Sequence, residues 1–252
     1  MIRTVGTAST DSSKGTKRKP VLPPCIRPNI VSLDCEMVDR GPKGAASTDA
    51  SKGTKHKPVL PPCIRPNIVS LDCEMVGCGP KGRISALARC SIVDYQGKII
   101  YDCFIKPIAP ITDFRTKWSG IKRKDMVNAT PFTEARKLIK KHLHGKYIIG
   151  HDLRNDFDAI KMSPHPLLIK DTSKCLALRH LAGLPEQNKP SLKTLTGLLF
   201  GKNIQIASHC SVEDARAALM LYKKVEDQWD TPTNPFLDDS YWVKPGQSTS
   251  NV

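Results

Sequence analysis

The sequence lacks any long apolar stretch. Across its 252 residues, no uninterrupted hydrophobic run approaches the roughly 20 residues that a helix needs to cross a bilayer. The N-terminal segment 1–15 also lacks the apolar centre of a secretory signal peptide. We therefore expect a protein that has no membrane partner and stays inside the cell. A hydrophobic content of 39% is typical of a globular chain with one sizeable α/β domain plus tails.

Paired cysteine motifs are missing too. The nine cysteines are an odd number and contain no Cys-x-x-Cys pair, which argues against zinc-ribbon and thioredoxin-type sites. Several of them, including Cys73, Cys90 and Cys103, lie in apolar runs, where a free cysteine behaves as a small buried hydrophobe. The cysteines are therefore expected to be reduced thiols, as in the cytosol or nucleus.

Acidic residues are scarce relative to basic ones. The chain has 24 Asp and Glu against 39 Lys and Arg, a net charge of +15, which favours nucleic acid first and an acidic membrane surface second. Residues 1–66 hold 12 Lys and Arg against 5 Asp and Glu, so about half of the basic excess lies in this Pro- and Lys-rich leader. Its Lys17-Arg18-Lys19 cluster fits nuclear import or RNA contact, and fits a solvated tail equally well.

A repeat dominates the N-terminal third. Segment 8–44 recurs as segment 46–82, and only four of the 37 aligned pairs differ. Such similarity indicates a recent tandem duplication or a duplicated stretch of the sequence record, rather than a solenoid repeat. An Asp-Cys-Glu motif therefore occurs twice, at 34–36 and at 72–74. Only the second copy continues into an apolar strand pattern, so we assign the working motif to Asp72 and Glu74 and expect the first copy to lie outside the main sheet.

Hydrophobic periodicity predicts a three-stranded meander followed by alternating strands and helices. Gln96-Gly97 is typical of a hairpin turn inside the meander. We therefore predict one α/β domain over 67–229. It is preceded by a basic, mostly disordered leader at 1–66 and followed by a polar, mostly disordered tail at 230–252. The predicted strands are Ile68–Glu74, Ile84–Tyr95, Lys98–Lys106, Tyr147–Ile149 and Leu167–Ile169, and the predicted helices begin at Thr130-Pro131, surround Phe157 and Ile160, and cover Ser173–Gly183, Ser191–Phe200 and Ser211–Trp229.

Asp72 and Glu74 are spaced two residues apart at the end of the first strand. Side chains at i and i+2 of a strand point to the same side, so both carboxylates face one way. Such a pair is costly unless a cation lies between them, and hard divalent metals prefer carboxylate oxygens. For an isolated Asp-x-Glu, a solvated strand end is the simpler interpretation.

Three further residues lie where strand ends meet helix starts, as sites in open α/β sheets do. Asp156 is on the first turns of a predicted helix, and Asp214 is near the start of the last one. Taken alone, Ser211-Val212-Glu213-Asp214 favours helix capping as the role of Asp214. His209, taken alone, is more typical of a surface or core histidine than of a catalytic base.

Chain order and spacing together resemble DEDDh-type 3′→5′ exonucleases, and within them the interferon-stimulated-exonuclease branch with its nucleolar and apoptosis-enhancing relatives. The resemblance covers about 160 residues, essentially 67–229, and rests on motifs in the same order as in that family. It implies an α/β, ribonuclease-H-like fold with a mixed five-stranded sheet flanked by helices. The matching motifs are Leu71-Asp72-Cys73-Glu74-Met75-Val76-Gly77, Leu87-Ala88-Arg89-Cys90-Ser91, Arg115-Thr116-Lys117-Trp118-Ser119-Gly120-Ile121, Gly150-His151-Asp152-Leu153-Arg154-Asn155-Asp156-Phe157 and His209-Cys210-Ser211-Val212-Glu213-Asp214-Ala215.

The resemblance also implies roles. Two divalent metal ions, Mg²⁺ or Mn²⁺, would be held by four carboxylates and would stabilise the attacking and departing oxygens of a phosphodiester. His209 would be the general base. Met75 matches a residue that packs on the terminal base or sugar, and Arg115 matches a substrate-contacting arginine. The four metal-binding carboxylates, which are also counted as catalytic, are Asp72, Glu74, Asp156 and Asp214.

The expected function is a metal-dependent 3′→5′ exoribonuclease that releases nucleoside 5′-monophosphates during RNA processing or decay. Its partner would be single-stranded nucleic acid, RNA in preference to DNA, and its location the nucleus, specifically the nucleolus, with the cytoplasm as an alternative. A DNA exonuclease of the apoptosis-enhancing kind and a catalytically silent nucleic-acid-binding protein remain alternatives. The oligomeric state is not determined by the sequence.

Overall fold

The computed structural model describes residues 67–187, 189–229 and 239–242. The whole leader 1–66 lies outside the described residues, including the first copy of the repeat with Asp34 and Glu36. Within the described ranges, no helix is both long enough and apolar enough to cross a bilayer.

Three long antiparallel strands open the domain: β1 (Ile68–Cys78), β2 (Ile84–Asp94) and β3 (Ile99–Lys106). The predicted hairpin turn joins β2 and β3, and Gly97 takes a φ of 81° there. This left-handed conformation favours glycine. The meander predicted from strand periodicity is therefore present.

The sheet continues on the other side of β1 with parallel strands. β6 (Tyr147–Gly150) pairs with β1, and β7 (Ile169–Asp171) pairs with β6. Two short strands, β4 (Ile111–Asp113) and β5 (Thr130–Pro131), pair with β1 and β3 respectively. The strand order is β5-β3-β2-β1-β6-β7, with β4 also on β1, so β1 is central.

The expected mixed sheet flanked by helices is confirmed, but within the described ranges it has seven strands rather than five. The two additional strands are only three and two residues long, too short to give a periodic signal. Thr130-Pro131 was predicted to start a helix with Pro at its first position, whereas Pro131 is the N-cap residue and both residues pair with β3. The strand predicted at Leu167–Ile169 begins only at Ile169, because Pro166–Leu168 form a 3₁₀ turn.

Six α-helices connect or cover the strands in the described part of the chain. The helix predicted over Ser173–Gly183 is divided into a 3₁₀ turn at Thr172–Lys174 and a shorter α-helix. The helix predicted over Ser211–Trp229 ends at Lys224, and a 3₁₀ turn follows. The helices are α1 (Thr116–Ser119), α2 (Phe132–Leu143), α3 (Arg154–Ile160), α4 (Leu176–Leu181), α5 (Leu192–Phe200) and α6 (Ser211–Lys224).

The two faces of β1 pack against different helices. Ile68 belongs to a core cluster with α4, α5 and α6, whereas Leu71 and Cys73 belong to one with α2 and α3. Ser70 faces α6 and donates a hydrogen bond from its hydroxyl to the carbonyl of Ala215 over 2.7 Å. This alternation directs Asp72 and Glu74 to the α6 side of the sheet.

A short C-terminal segment also packs on the domain. Residues 239–242, within the region predicted as a polar tail, form a 3₁₀ turn in which Tyr241 is 2% exposed. The Arg154 guanidinium donates to the carbonyls of Tyr241 and Trp242. The Trp242 ring centroid is 5.6 Å from that of Phe157 on α3. This C-terminal segment therefore contacts α3, the helix that carries Asp156.

Candidate active site

Three carboxylates meet beside the central strand. Asp72 and Glu74 come from β1 and Asp214 from the first turn of α6, and one oxygen from each lies within 4.8 Å of the others. Asp72 is partly exposed, while Glu74 and Asp214 are buried at 5% and 1% exposure. We refer to these residues as the carboxylate triad. The prediction that Asp72 and Glu74 face one way agrees with this geometry.

The triad is electrostatically unfavourable without a cation. Burial, then the charges of Asp156, Asp214 and Glu74, raise the pKa of Asp72 well above its ordinary value. Burial and the charge of Asp214 raise the pKa of Glu74 to about 9, although the guanidinium of Arg89 opposes this shift. Glu74 Oε1 and Asp214 Oδ1 are buried and have no hydrogen-bond partner. Unpaired buried oxygens are costly, so these two atoms point to a missing positive ligand.

Asp156 lies near the triad but not within it. Its carboxylate is buried at 5% exposure on α3, and burial raises its pKa to about 8. Hydrogen bonds from the thiol and backbone N–H of Cys73 oppose the shift. Because α3 packs on the opposite face of β1 from α6, Asp156 approaches the strand end from that side. The structure thus brings three of the four predicted ligands together and places the fourth next to Asp72, whose pKa it raises.

The β1–β2 pairing changes register within the site. A β-bulge lies between Glu74 and Met75, so that Glu74 pairs with Arg89 and Met75 with Leu87. Met75 is partly buried against the α2–α3 core. Bulges change strand pairing near functional sites. Met75 nevertheless stays on the same side of the sheet as Leu71 and Cys73.

His209 lies at the edge of the triad. Its Nδ1 is 3.4 Å from Asp214 Oδ2, and its side chain is 43% exposed. The backbone N–H of His209 donates to the carbonyl of Trp118 over 2.8 Å, which joins the loop before α6 to helix α1. The predicted histidine is therefore within reach of the triad and open to solvent.

The capping role considered for Asp214 is wrong. The N-cap residue is Cys210, and the Cys210 side chain makes no capping hydrogen bond. The Ser211 hydroxyl lies 2.6 Å from that of Ser91 on β2 instead. Asp214 Oδ2 accepts from Gln205 Nε2 over 2.9 Å. Sequence reasoning missed Gln205, because a polar residue in an irregular loop carries no spacing signal.

Arg115 already has protein partners. Its guanidinium donates to Ser85 Oγ over 2.7 Å and to the carbonyl of Gly82 over 2.8 Å. Its backbone φ is 49°, a left-handed conformation that is uncommon outside glycine. Arg115, which was predicted to contact substrate, therefore links helix α1 by hydrogen bonds to the start of β2 and the turn before it.

A second group of residues holds the start of α3. The buried Asp171, at the end of β7, accepts hydrogen bonds from the backbone N–H groups of Asp152 and Leu153. It also accepts from the Tyr241 hydroxyl over 3.1 Å. Asp152 itself has a φ of 62° and pairs with Lys189 on the surface. Sequence reasoning missed Asp171 and Tyr241, although the position of Asp171 after an apolar run was a usable signal.

The donor set fits a hard divalent cation. Carboxylate oxygens are the ligands that Mg²⁺ and Mn²⁺ prefer, and the triad offers several within a small volume. The two partnerless oxygens of Glu74 and Asp214 would gain a partner on metal binding. No comparable group of three ligands outside the triad occurs in the residues that the structure describes.

Solved structures share this architecture. The *Neurospora crassa* Pan2 catalytic unit, with its protease and nuclease domain, superposes with a TM-score of 0.54 at 30% identity, covering 65% of this chain and 27% of that one. The *Saccharomyces cerevisiae* Pan2 module in complex with AAGGAA RNA gives 0.57 at 26% identity, covering 69% and 31%. The fold and the carboxylate-bearing central strand place the chain in the ribonuclease-H-like fold class.

The family follows from the sequence match. The RNase T exonuclease family pattern matches residues 69–222, more than half of the chain. The chain therefore belongs to the RNase T family of DEDD exonucleases, as the sequence motifs predicted.

Several curated relatives are nucleases. Human interferon-stimulated 20 kDa exonuclease-like 2 is 50% identical over 80% of this chain and 47% of its own length. Human apoptosis-enhancing nuclease is 43% identical over 84% and 60%. RNA exonuclease 4 of *Cryptococcus neoformans* is 41% identical over 58% and 35%. The chain spans about half the length of the first of these relatives.

Proposed function

We propose that the protein is a metal-dependent 3′→5′ exoribonuclease that releases nucleoside 5′-monophosphates. The observation that carries the proposal is the carboxylate triad beside the solvent-accessible His209, because two buried oxygens of the triad, on Glu74 and Asp214, have no partner. Family membership supports the reaction class. Two divalent ions, bound when present, would supply charge neutralisation at the scissile phosphate and a lowered pKa for the attacking water.

The chain's own residues have distinct tasks in this scheme. Asp72, Glu74 and Asp214 would hold metal from the α6 side of β1, and Asp156 from the α3 side. His209 would accept the proton of the attacking water. If Nδ1–H points to Asp214 Oδ2, then Nε2 carries the lone pair that receives this proton. The phosphorus–oxygen bond to the preceding 3′ oxygen breaks, and that oxygen takes up a proton as the mononucleotide leaves.

RNA is the preferred substrate in this proposal. Support comes from the similarity to a Pan2 module solved in complex with RNA and to a relative named RNA exonuclease 4. The similarity to apoptosis-enhancing nuclease favours a second candidate, a DNA exonuclease. We further propose a nuclear, and specifically nucleolar, location, which the net charge of +15 supports. A tagged full chain that stays out of the nucleus would contradict the location alone.

A cleavage assay tests the proposal. The full chain is incubated with 5′-labelled single-stranded RNA and the matched DNA, in Mg²⁺, Mn²⁺ or EDTA. We expect stepwise shortening from the 3′ end with either metal, none in EDTA, and faster shortening of RNA. Asp214→Asn should abolish cleavage, whereas Asp158→Asn, an exposed carboxylate on α3, should not.

The outcomes separate the alternatives. Faster cleavage of DNA would replace the RNA assignment with the DNA candidate. No cleavage with either metal, combined with retained binding of the oligonucleotide, would identify a silent nucleic-acid-binding protein. Cleavage that survives Asp214→Asn would show that the site lies elsewhere.

A further inference from the structure

One large aromatic side chain is displayed to solvent beside the candidate active site. Trp118, on helix α1, is 62% exposed, whereas Trp229 is 7% exposed and Trp242 packs on Phe157. The carbonyl of Trp118 accepts the hydrogen bond from the backbone N–H of His209. The only described tryptophan with most of its surface in water is therefore tied to the residue proposed as general base.

The backbone around Trp118 is firmly held. Helix α1 lies between two residues in left-handed conformations, Arg115 at φ 49° and Gly120 at φ 68°. A Cβ at Gly120 would lie 3.2 Å from the carbonyl oxygen of His209, so this turn packs closely on the loop before α6. The Ser119 hydroxyl donates to the carbonyl of Phe114 and accepts from the N–H of Ile121. The backbone that carries the exposed indole therefore has a defined position beside the loop before α6.

The surroundings of the indole are basic. Lys117 Nζ lies 5.7 Å from the centroid of the Trp118 ring. The following turn adds three exposed cations, Lys122, Arg123 and Lys124, while Asp125 is engaged with the N–H of Lys122. An aromatic face next to several cations matches how proteins bind single strands, with bases stacked on the ring and phosphates paired with Lys and Arg.

We propose that Trp118 and Lys117 form a stacking platform for a base of the single-stranded nucleic acid whose 3′ end lies at the carboxylate triad. The proposal rests on the proposed function for the identity of the strand. The exposed indole face takes one base, and the Lys117 ammonium pairs with a neighbouring phosphate. The basic turn at 122–124 continues the phosphate contacts away from the triad. A hydrophobic protein partner would not use the cations, which is why we favour nucleic acid.

The first test measures binding without cleavage. The full chain in EDTA is titrated with single-stranded RNA while tryptophan fluorescence and oligonucleotide anisotropy are recorded. Stacking on an aromatic side chain is worth about 1–3 kcal/mol per base, so Trp118→Ala should weaken binding by about 5- to 150-fold. Trp118→Phe should retain most of the affinity yet lose the fluorescence change. Leu198→Ala, which removes an exposed apolar side chain on α5, is the matched control.

The second test addresses the ammonium. The affinity of Lys117→Ala is measured across salt concentrations, with Lys137→Ala on α2 as the control for an exposed lysine. Loss of one phosphate contact should reduce the slope of log affinity against log salt by about 0.7. The thermal unfolding midpoint of Trp118→Ala should equal that of the parent, because this side chain is mostly in solvent.

Different results overturn different statements. Unchanged affinity in Trp118→Ala, with cleavage intact, would refute the platform and leave the proposed function standing. If Trp118→Ala loses affinity and the parent protein shows no cleavage, the platform is supported and the proposed exonuclease activity is refuted. A further set of oligonucleotides carries an abasic linker at one position each. At one position, the linker should weaken binding to the parent protein as much as Trp118→Ala weakens binding of the intact strand. The same linker should not weaken binding to the Trp118→Ala protein any further. If no such position exists, the indole does not stack on a base.

Discussion

The carboxylate triad should make the metal-free protein less stable as pH rises. The pKa of Glu74 is raised to about 9, so below that value the folded state holds a proton that the unfolded chain releases above its ordinary pKa near 4.5. The proton that the folded state keeps on Glu74 adds to the free energy of unfolding. This contribution is fully present below the unfolded pKa and is lost as pH rises through about 9. Between pH 6 and pH 8, this one proton is worth about 1.4 kcal/mol of unfolding free energy per pH unit.

Glu74→Gln removes that dependence. The amide cannot ionise, and it is close in size to the acid that it replaces. We expect the variant to gain about 1.4 kcal/mol on the parent for each pH unit between 6 and 8. For a domain of this size, this corresponds to about 3–6 °C in unfolding midpoint per pH unit. The charge of Glu74 also raises the pKa of Asp72, so its removal lowers the pKa of Asp72 and adds to the gain.

The assay is urea or thermal unfolding of the full chain in EDTA at pH 6, 7 and 8. Asp158→Asn, which removes an exposed carboxylate from α3, should run parallel to the parent at every pH. Adding Mn²⁺ should reverse the order, since the metal stabilises the intact triad and not the variant. If Glu74→Gln and the parent keep a constant difference across the pH range, the triad does not carry the buried charge that we infer.

Three further outcomes are expected. Asp156→Asn should lower kcat at least about a hundredfold, with Asp158→Asn as control, and near-parent activity in the metal-saturated enzyme would exclude Asp156 as a ligand. Tyr241→Phe removes the hydrogen bond to Asp171 and should cost about 1 kcal/mol in urea unfolding; an unchanged midpoint would mean that the C-terminal segment does not hold α3. Gly77→Asp should abolish soluble folded protein, because a Cβ there would lie 2.5 Å from a backbone carbonyl oxygen; a folded variant by circular dichroism would refute this.

The Gly77→Asp variant also tests which copy of the duplicated segment can form β1. The first copy carries Asp39 and Arg40 where β1 has Gly77 and Cys78. Gly77 has no room for a side chain, and Cys78 is 0% exposed, with its thiol donating to the carbonyl of Ala109. The β1 position therefore accepts the second copy and would reject the first. The sequence made the same assignment on different grounds, from the apolar strand pattern downstream.

Motifs and periodicity sufficed for the family, the long strands of the meander and the identity of the acidic residues. Those features depend on local spacing, such as the two-residue interval between Asp72 and Glu74, which a strand turns into a shared direction. The sequence did not predict the short strands β4 and β5, because pairing with β1 and β3 defines them rather than their own composition.

The sequence by itself determined which residue types make up the candidate site and in what order they occur. Only the tertiary structure decided that Asp214 joins Asp72 and Glu74 rather than capping α6, that Arg115 is engaged with Gly82 and Ser85, and that Trp118 stands beside His209. The physical reason is that burial and non-local hydrogen bonds join segments distant along the chain. The raised pKa of Glu74 and its partnerless oxygen exist only once β1 and α6 have packed together.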